Sequence, residues 1–381
     1  MSHPPKRSRR MSRLVLTATA TAAVLALAAC GSSSTSSTSS SSAASTAAAS
    51  AASSAGGSGA AASGVADAAS FPVEIPNAFG TAVIPAVPER VVVIGFTEAD
   101  TVLALGTVPV GIQQFVTTFA SGVGPWAEPL LTGEDPTVFT TFDLNFEQIA
   151  ALQPDLIIGL NRGVTAEDYP KLTAIAPTMA RPAEFADFGV PGEEQVQLIG
   201  QALGKEAAAA DLLAQEESLI AAAAADNPEL AGKTFSAVWP RPEGAGWFAW
   251  TSIDPRVELI TNLGMTLSPQ IEALGNTAFY NEISKENTPE INADVVVAID
   301  QDQQQATVLA DPLFQSLPAT QGGNVAWVTD PAVIGAFSYS SVLSTPYVLE
   351  ALVPLLASAA AGTGGSASGA ASSAAPVTTT G

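Results

Sequence analysis

Three arginines and a cluster of tryptophans are the side chains of this sequence best suited to hold a small molecule. Arg162, Arg181 and Arg241 stand out in a chain with 14 basic residues against 36 acidic ones. A guanidinium offers a rigid fork of donors to anionic or carbonyl oxygens; a surface ion pair is the plain alternative for each. Trp239, Trp247 and Trp250 fall within twelve positions and are three of only five tryptophans. They could form a planar wall against a bulky, partly apolar ligand, or simply a local hydrophobic cluster. Trp126, in Gly124-Pro125-Trp126, is a candidate counterpart earlier in the chain. Glycines and prolines surround the later tryptophans, so that stretch reads as loop.

The first thirty residues read as a targeting segment rather than as fold. Lys6, Arg7, Arg9, Arg10 and Arg13 precede an apolar run from Leu14 to Ala29, short for a membrane span and suited to a signal peptide. The run ends in Leu27-Ala28-Ala29-Cys30, which resembles the lipobox of bacterial lipoproteins. The small residues admit a peptidase and the Cys30 thiol can be diacylated, which gives stable anchoring to a membrane. Residues 31–70 are almost wholly Ser, Ala, Gly and Thr. Such a segment behaves as a flexible tether, with a reach of about 35 Å. Residues 358–381 share that composition and are expected to be disordered. An extracytoplasmic protein, held to the outer face of the cell membrane through Cys30, is the expectation.

Charge and missing residue types then exclude several functions. The signal segment takes five basic residues and no acid, which leaves nine against 36, a formal charge of about −27. Such a surface repels nucleic acid. The only histidine is His3 and the only cysteine Cys30, so a processed chain has neither. No Ser-His-Asp or Cys-His nucleophile can be assembled, and a metal site built on imidazole or thiolate is excluded. The acidic pairs Glu134-Asp135 and Glu193-Glu194 read as solvated faces rather than as a glycosidase dyad. We find no P-loop, G-x-S-x-G or dinucleotide fingerprint. The expectation is a binding protein, not an enzyme, with no resident metal or cofactor.

The elements alternate. Phe71–Ile75 and Gly80–Ile84 flank a turn and predict a hairpin. Residues 90–95, 108–112 and 155–159 are apolar, β-branched runs of the kind buried in parallel sheets. Helices are predicted over 97–105, with Thr97 as N-cap, and over 146–152. A helix over 193–203 is closed by Gly204. Residues 205–226 are alanine-rich without Gly or Pro, which predicts a long helix that Asn227-Pro228 stops. Strands at 234–239, 294–299 and 324–328 follow, with helices over 256–263 and 339–356, the last broken near Pro346 or Pro354. Glu147 precedes Asp155 by eight residues and Glu286 precedes Asp294 by eight, an echo between the two halves. The expected domains are 1–30 signal, 31–70 tether, 71–200 first lobe, 201–228 connecting helix, 229–357 second lobe and 358–381 tail.

The order of these pieces resembles the iron–siderophore branch of ABC-importer substrate-binding lipoproteins, which also holds cobalamin binders. The likeness is carried by Ala78-Phe79-Gly80-Thr81, Pro88-Glu89-Arg90-Val91-Val92-Val93 and Ala104-Leu105-Gly106. It continues in Phe146-Glu147-Gln148-Ile149 through Pro154-Asp155-Leu156-Ile157-Ile158, and in Leu203-Gly204-Lys205. The resemblance implies two Rossmann-like α/β lobes joined by one long rigid helix, with a ligand cleft between them and little hinge closure. It implies that a monomer hands a ferric-siderophore chelate to an ABC permease dimer and its ATPase, docked by Glu147 and Glu286. Cobalamin or haem is the alternative cargo. A non-transport envelope interaction protein is the alternative function.

Ligands of open α/β lobes sit beyond the carboxyl ends of the strands. That rule selects Phe96, Thr97, Glu98, Gln113, Phe115, Arg162 and Arg181 in the first lobe, and Trp239, Arg241, Trp247, Phe248, Trp250, Ser338 and Tyr339 in the second. Trp126 joins them as the opposing aromatic. Arg90 and Arg256 begin elements and are read as structural.

Overall fold

The computed structural model describes residues 70–364 and the backbone of 366–367. Cys30 and the signal segment lie outside the described residues, as do nearly all of the expected tether and most of the expected tail.

The chain opens with the antiparallel hairpin β1 (Val73–Asn77) and β2 (Gly80–Ile84). Alternate residues of both strands are buried, as a half-buried strand requires. Five short parallel strands follow: β3 (Val91–Val93), β4 (Gly111–Gln113), β5 (Thr137–Phe139), β6 (Leu156–Gly159) and β7 (Thr178–Ala180). Their order across the sheet is β5-β4-β3-β6-β7. The chain therefore winds outward from β3 in one direction, then crosses to β6 and winds the other way. The crevice between β3 and β6 is the switch point of a doubly wound sheet. Helices α1 (Glu98–Ala104), α2 (Phe146–Ala151), α3 (Tyr169–Thr173) and α4 (Gly192–Ala202) complete the lobe.

Helix α5 (Glu206–Asp226) has 21 residues and is about 32 Å long at about 1.5 Å per residue. Its early residues Leu212 and Leu213 pack on the first lobe's core, and Ile220 and Ala223 pack on the second's. One helix therefore spans both lobes.

The second lobe contains β8 (Thr234–Pro240), β9 (Gly246–Trp250), α6 (Pro255–Asn262), β10 (Thr266–Leu267), α7 (Pro269–Glu272), β11 (Tyr280–Ser284) and β12 (Val295–Ile299). Three short helices follow, α8 (Gln305–Leu309), α9 (Pro312–Gln315) and α10 (Pro318–Gln321). The chain continues through β13 (Val325–Val328), α11 (Pro331–Tyr339), α12 (Ser344–Ala360) and β14 (Ser366–Ala367). The sheet runs β11-β9-β8-β12-β13-β14, with β10 also on β8. Its parallel centre matches the expectation. Its antiparallel edge, β9 and β11, corrects the reading of the tryptophan stretch as loop. The prolines and glycines only make a tight turn over Pro242–Gly244. Gly246 then lies so close to β11 that a Cβ would sit 2.1 Å from the Ile283 carbonyl oxygen, at a φ of +121°, a conformation left to glycine.

Three boundaries also differ. Thr97 precedes α1 but makes no cap bond; its hydroxyl is turned to Gln195. The closing helix is two helices, and the break falls at Ser340, with φ of 45°, not at either proline. Pro346 occupies the first turn of α12, where no donor is lost. That helix also runs to Ala360, past the lobe end at 357 expected from composition.

The echo between the halves has a physical content. Asp155, just before β6, accepts the backbone N–H groups of Glu89 (2.8 Å) and Arg90 (2.9 Å) at the entry to β3. Asp294, just before β12, accepts the Thr234 N–H and hydroxyl, both at 2.8 Å, at the entry to β8. Each aspartate sets the register of its lobe's two central strands, and the Thr234 N–H holds the Asp294 carboxyl below its usual range. Arg90 donates to the Leu152 carbonyl (2.7 Å) at the end of α2, the structural role read for it. Replacing Asp155 or Asp294 by Ala is expected to cost about 1 kcal/mol each, measured by urea unfolding. Losses below about 0.3 kcal/mol in both would remove this role.

Candidate functional site

Each of the five parallel strands of the first lobe delivers a side chain to one patch at its carboxyl edge. Phe96 follows β3, Phe115 follows β4, Phe142 follows β5, Arg162 follows β6 and Phe188 follows β7. Phe96 is the hub. Its ring centroid lies 5.3 Å from Phe115, 5.7 Å from Phe142 and 6.1 Å from Phe188. The Arg162 guanidinium lies 5.0 Å from the Phe96 ring centroid and 4.7 Å from that of Phe142, within cation–π range of both. Phe115, Phe142 and Phe188 remain exposed. A cluster of exposed rings around a buried arginine is unlike a sealed core, and it is the candidate site.

Arg162 is 3% exposed. One of its terminal nitrogens, Nη2, donates to the Phe142 carbonyl; Nη1 has no partner among the described residues. Burial weakens its hold on its proton, while Glu98, Asp143 and Asp168 oppose that. Glu98, which also follows β3, is fully buried. Its carboxylate lies over Gly95, where a Cβ would be 1.8 Å from Oε1, and accepts the N–H groups of Thr97 (2.9 Å) and Asn161 (2.7 Å). This ties the connection after β3 to the one after β6 and so positions Phe96 beside Arg162. Burial raises the Glu98 carboxyl above its usual range, against those hydrogen bonds.

Arg181 stands apart. It pairs with Asp187 at 2.5 Å and donates to the Phe185 carbonyl at 2.8 Å. It staples the loop that presents Phe188.

The second lobe carries its own aromatic face on β8, β9 and β11. Trp239 stacks on Trp250 (6.5 Å, 9°) and lies 5.5 Å from Phe248, which meets Tyr280 at 4.9 Å. Arg241 lies over Phe248 at 5.2 Å and pairs with Glu282 at 3.1 Å. Arg256 covers Trp250 at 4.2 Å while bound to Asp254, so Trp250 is buried. Trp247 faces the other way, stacked on Phe314 with its indole N–H on Thr288. It is a core residue.

Trp126 and Tyr339 join the lobes. Asp100 on α1 is fully buried, and its Oδ2 accepts the Trp126 indole N–H (2.7 Å) and the Ser341 hydroxyl from the second lobe. Tyr339 donates to the Gly122 carbonyl (3.3 Å) and meets Phe115 edge-on at 5.5 Å and Trp126 at 5.4 Å. Thr345 on α12 donates to Glu216 on α5 at 2.5 Å. The break at Ser340 is what turns Ser341 toward Asp100.

A groove of about 830 Å³ runs beside α5, lined by Thr97, Gln195, Glu216, Glu258, Ser340 and Thr345 among others. Of the sequence-selected residues only Thr97 lines it. Among the described residues no group of three or more His, Cys, Asp or Glu could hold a metal ion. Phe142 and Phe188 are not among the residues that the sequence selects. The rule that chose Phe96 and Phe115 reaches Phe142 once β5 is recognised.

Residues 91–332 match the family described as periplasmic binding protein. The chain belongs to that family. A periplasmic solute binding protein from Mycobacterium smegmatis is 32% identical with a TM-score of 0.68, covering 76% of this chain and 98% of its own. The iron-uptake ABC transporter substrate-binding protein PiaA of Streptococcus pneumoniae, solved in complex with ferrichrome, is 30% identical with a TM-score of 0.66, covering 76% and 99%. A probable siderophore-binding lipoprotein of Bacillus subtilis, YfiY, is 27% identical over 273 residues, 67% of this chain and 80% of YfiY. These relatives are substrate-binding proteins, and the two-lobed α/β architecture is theirs.

The interlobe carboxyl makes stability depend on pH. Burial pushes Asp100 up to about 6, with the Ser341 and Trp126 hydrogen bonds only partly opposing. A carboxyl that holds its proton more tightly when folded contributes most below its unfolded value and loses that contribution as pH rises through about 6. The difference is about two units, or about 3 kcal/mol. Glu98 and Glu216 shift the same way. Between pH 4 and 7 wild type is expected to lose about 2 kcal/mol more than Asp100→Asn, read by urea unfolding across pH. Equal slopes would refute the assignment.

Proposed function

We propose that this chain is an extracytoplasmic substrate-binding protein that delivers a ferric-siderophore chelate to an ABC importer. The observation that carries the reading is the convergence of Phe96, Phe115, Phe142, Arg162 and Phe188 from five strands onto one exposed patch. Rings suit the organic backbone of a chelate, and Arg162 Nη1 suits an oxygen near the iron. The aromatic face of Trp239, Phe248 and Tyr280, with Arg241 beside it, supplies the other wall. Trp126, Tyr339 and Arg181 support the site: the first two hold the lobes together and the third braces the Phe188 loop. Relatives that bind ferrichrome or are described as siderophore-binding support the same cargo. The protein acts without catalysis, as a monomer, anchored through lipidated Cys30.

Glu147 and Glu286 fit the docking role. Both are exposed, and neither forms an ion pair among the described residues. Each sits in the first turn of a helical segment, α2 or the 3-10 turn Lys285–Ile291. Each precedes a strand-entry aspartate by eight residues, so the two are placed alike on the two lobes. Such exposed charges steer and orient a partner more than they add affinity.

Two measurements test the reading. Tryptophan fluorescence of the purified chain is expected to quench saturably at submicromolar concentration with a ferric siderophore and not with its iron-free form. Quenching by cobalamin or haem alone would replace the cargo, and Arg162→Ala should weaken binding at least about tenfold. Replacing Glu147 and Glu286 together by Ala should leave that binding intact and slow uptake by whole cells. Normal uptake at low substrate would refute docking through this pair.

A further inference from the structure

The two candidate walls differ from an anion trap in one respect: their arginines are already answered. Arg241 pairs with Glu282, Arg256 with Asp254 and Arg181 with Asp187, and Arg162 lies in the field of Glu98, Asp143 and Asp168. The connections that leave the carboxyl ends of the parallel strands contain no lysine. The same connections carry Asp143, Asp168, Asp187, Glu243, Asp300 and Asp302. The local balance is therefore negative, in a chain whose charge is −22 overall.

The charge of a ferric chelate follows from its donors. Three hydroxamates each contribute one negative charge and neutralise Fe³⁺. Three catecholates each contribute two and leave the complex at −3, and citrate-type chelates are also anionic. Resting on the function proposed above, we infer that this site takes a neutral ferric tris-hydroxamate and discriminates against anionic chelates. The rings around Phe96 cover the uncharged organic shell. Arg162 Nη1, buried without a partner among the described residues, supplies one donor to a chelating oxygen, while Asp143 and Asp168, whose charges act on Arg162, keep the site from becoming a net cation. On the other wall Glu282 plays the same part for Arg241.

The test is a tryptophan-fluorescence titration of the full-length chain in detergent with ferrichrome, a ferric tris-catecholate and ferric citrate. Ferrichrome is expected to bind at least about 100-fold more tightly than either anionic chelate, the scale of several kcal/mol of like-charge repulsion. In Glu282→Gln, which releases Arg241, that gap is expected to narrow about tenfold. An anionic chelate that binds wild type as tightly as ferrichrome would overturn this inference and leave the transport function standing. An unchanged gap in Glu282→Gln would overturn its electrostatic basis. Binding of none of the three would overturn the inference and the function together.

Discussion

The arrangement of the two lobes turns on one buried carboxylate. Asp100 on the first lobe has no solvent, so burial favours partners from the protein, although its Oδ1 has none among the described residues. Its Oδ2 is answered by the Trp126 indole and by Ser341, which lies 241 residues on. That requirement explains why the helix after β13 must stop at Ser340, why Ser341 turns inward, and why Tyr339 arrives against Phe115 and Trp126. With α5 bridging behind, the second lobe is seated on the first by hydrogen bonds and rings rather than by a loose hinge.

The same seating completes the candidate site. Phe115 touches Phe96 on one side and Tyr339 on the other, so the aromatic patch of the first lobe is continuous with the junction between lobes. Glu98 and Asp100, two residues apart on α1, divide the work. Glu98 fixes the switch-point loops that hold Arg162, and Asp100 fixes the partner lobe. A short helix of seven residues thereby couples the patch to the interlobe contact. It does so with buried carboxylates whose protons the fold holds more tightly than water would.

Much of the fold was legible because its signals are local. Continuous apolar runs marked β3, β6, β12 and β13, Gly204 ended its helix, and alanine marked α5. What was not legible has physical causes. Strand β5 buries only one of its three residues, so no apolar run marks it and Phe142 is missed with it, while Phe188 lies eight residues beyond β7, out of reach of a rule that takes the residues just past a strand. The stretch 246–250 reads as loop because glycines and prolines surround it, yet pairing with β11 makes it a strand. That pairing sends Trp247 into the core and Phe248 out. Helix α11 had a local signal in Asp330-Pro331, an N-cap followed by proline, that was not used. The roles of Trp126 and Tyr339 rest on contacts between distant parts of the chain, which no spacing rule reveals. The aspartates behind the Glu147 and Glu286 echo are strand-entry locks, which gives the repeat a structural basis independent of docking.

A crystal structure of the chain with a bound ferric chelate tests the central claim most directly. The account expects the chelate on the rings of Phe96, Phe115, Phe142 and Phe188, with an oxygen on Arg162 Nη1 and the Asp100–Ser341 hydrogen bond intact. A chelate seated in the groove beside α5, between Gln195, Glu216 and Glu258, with the aromatic patch empty, would contradict it.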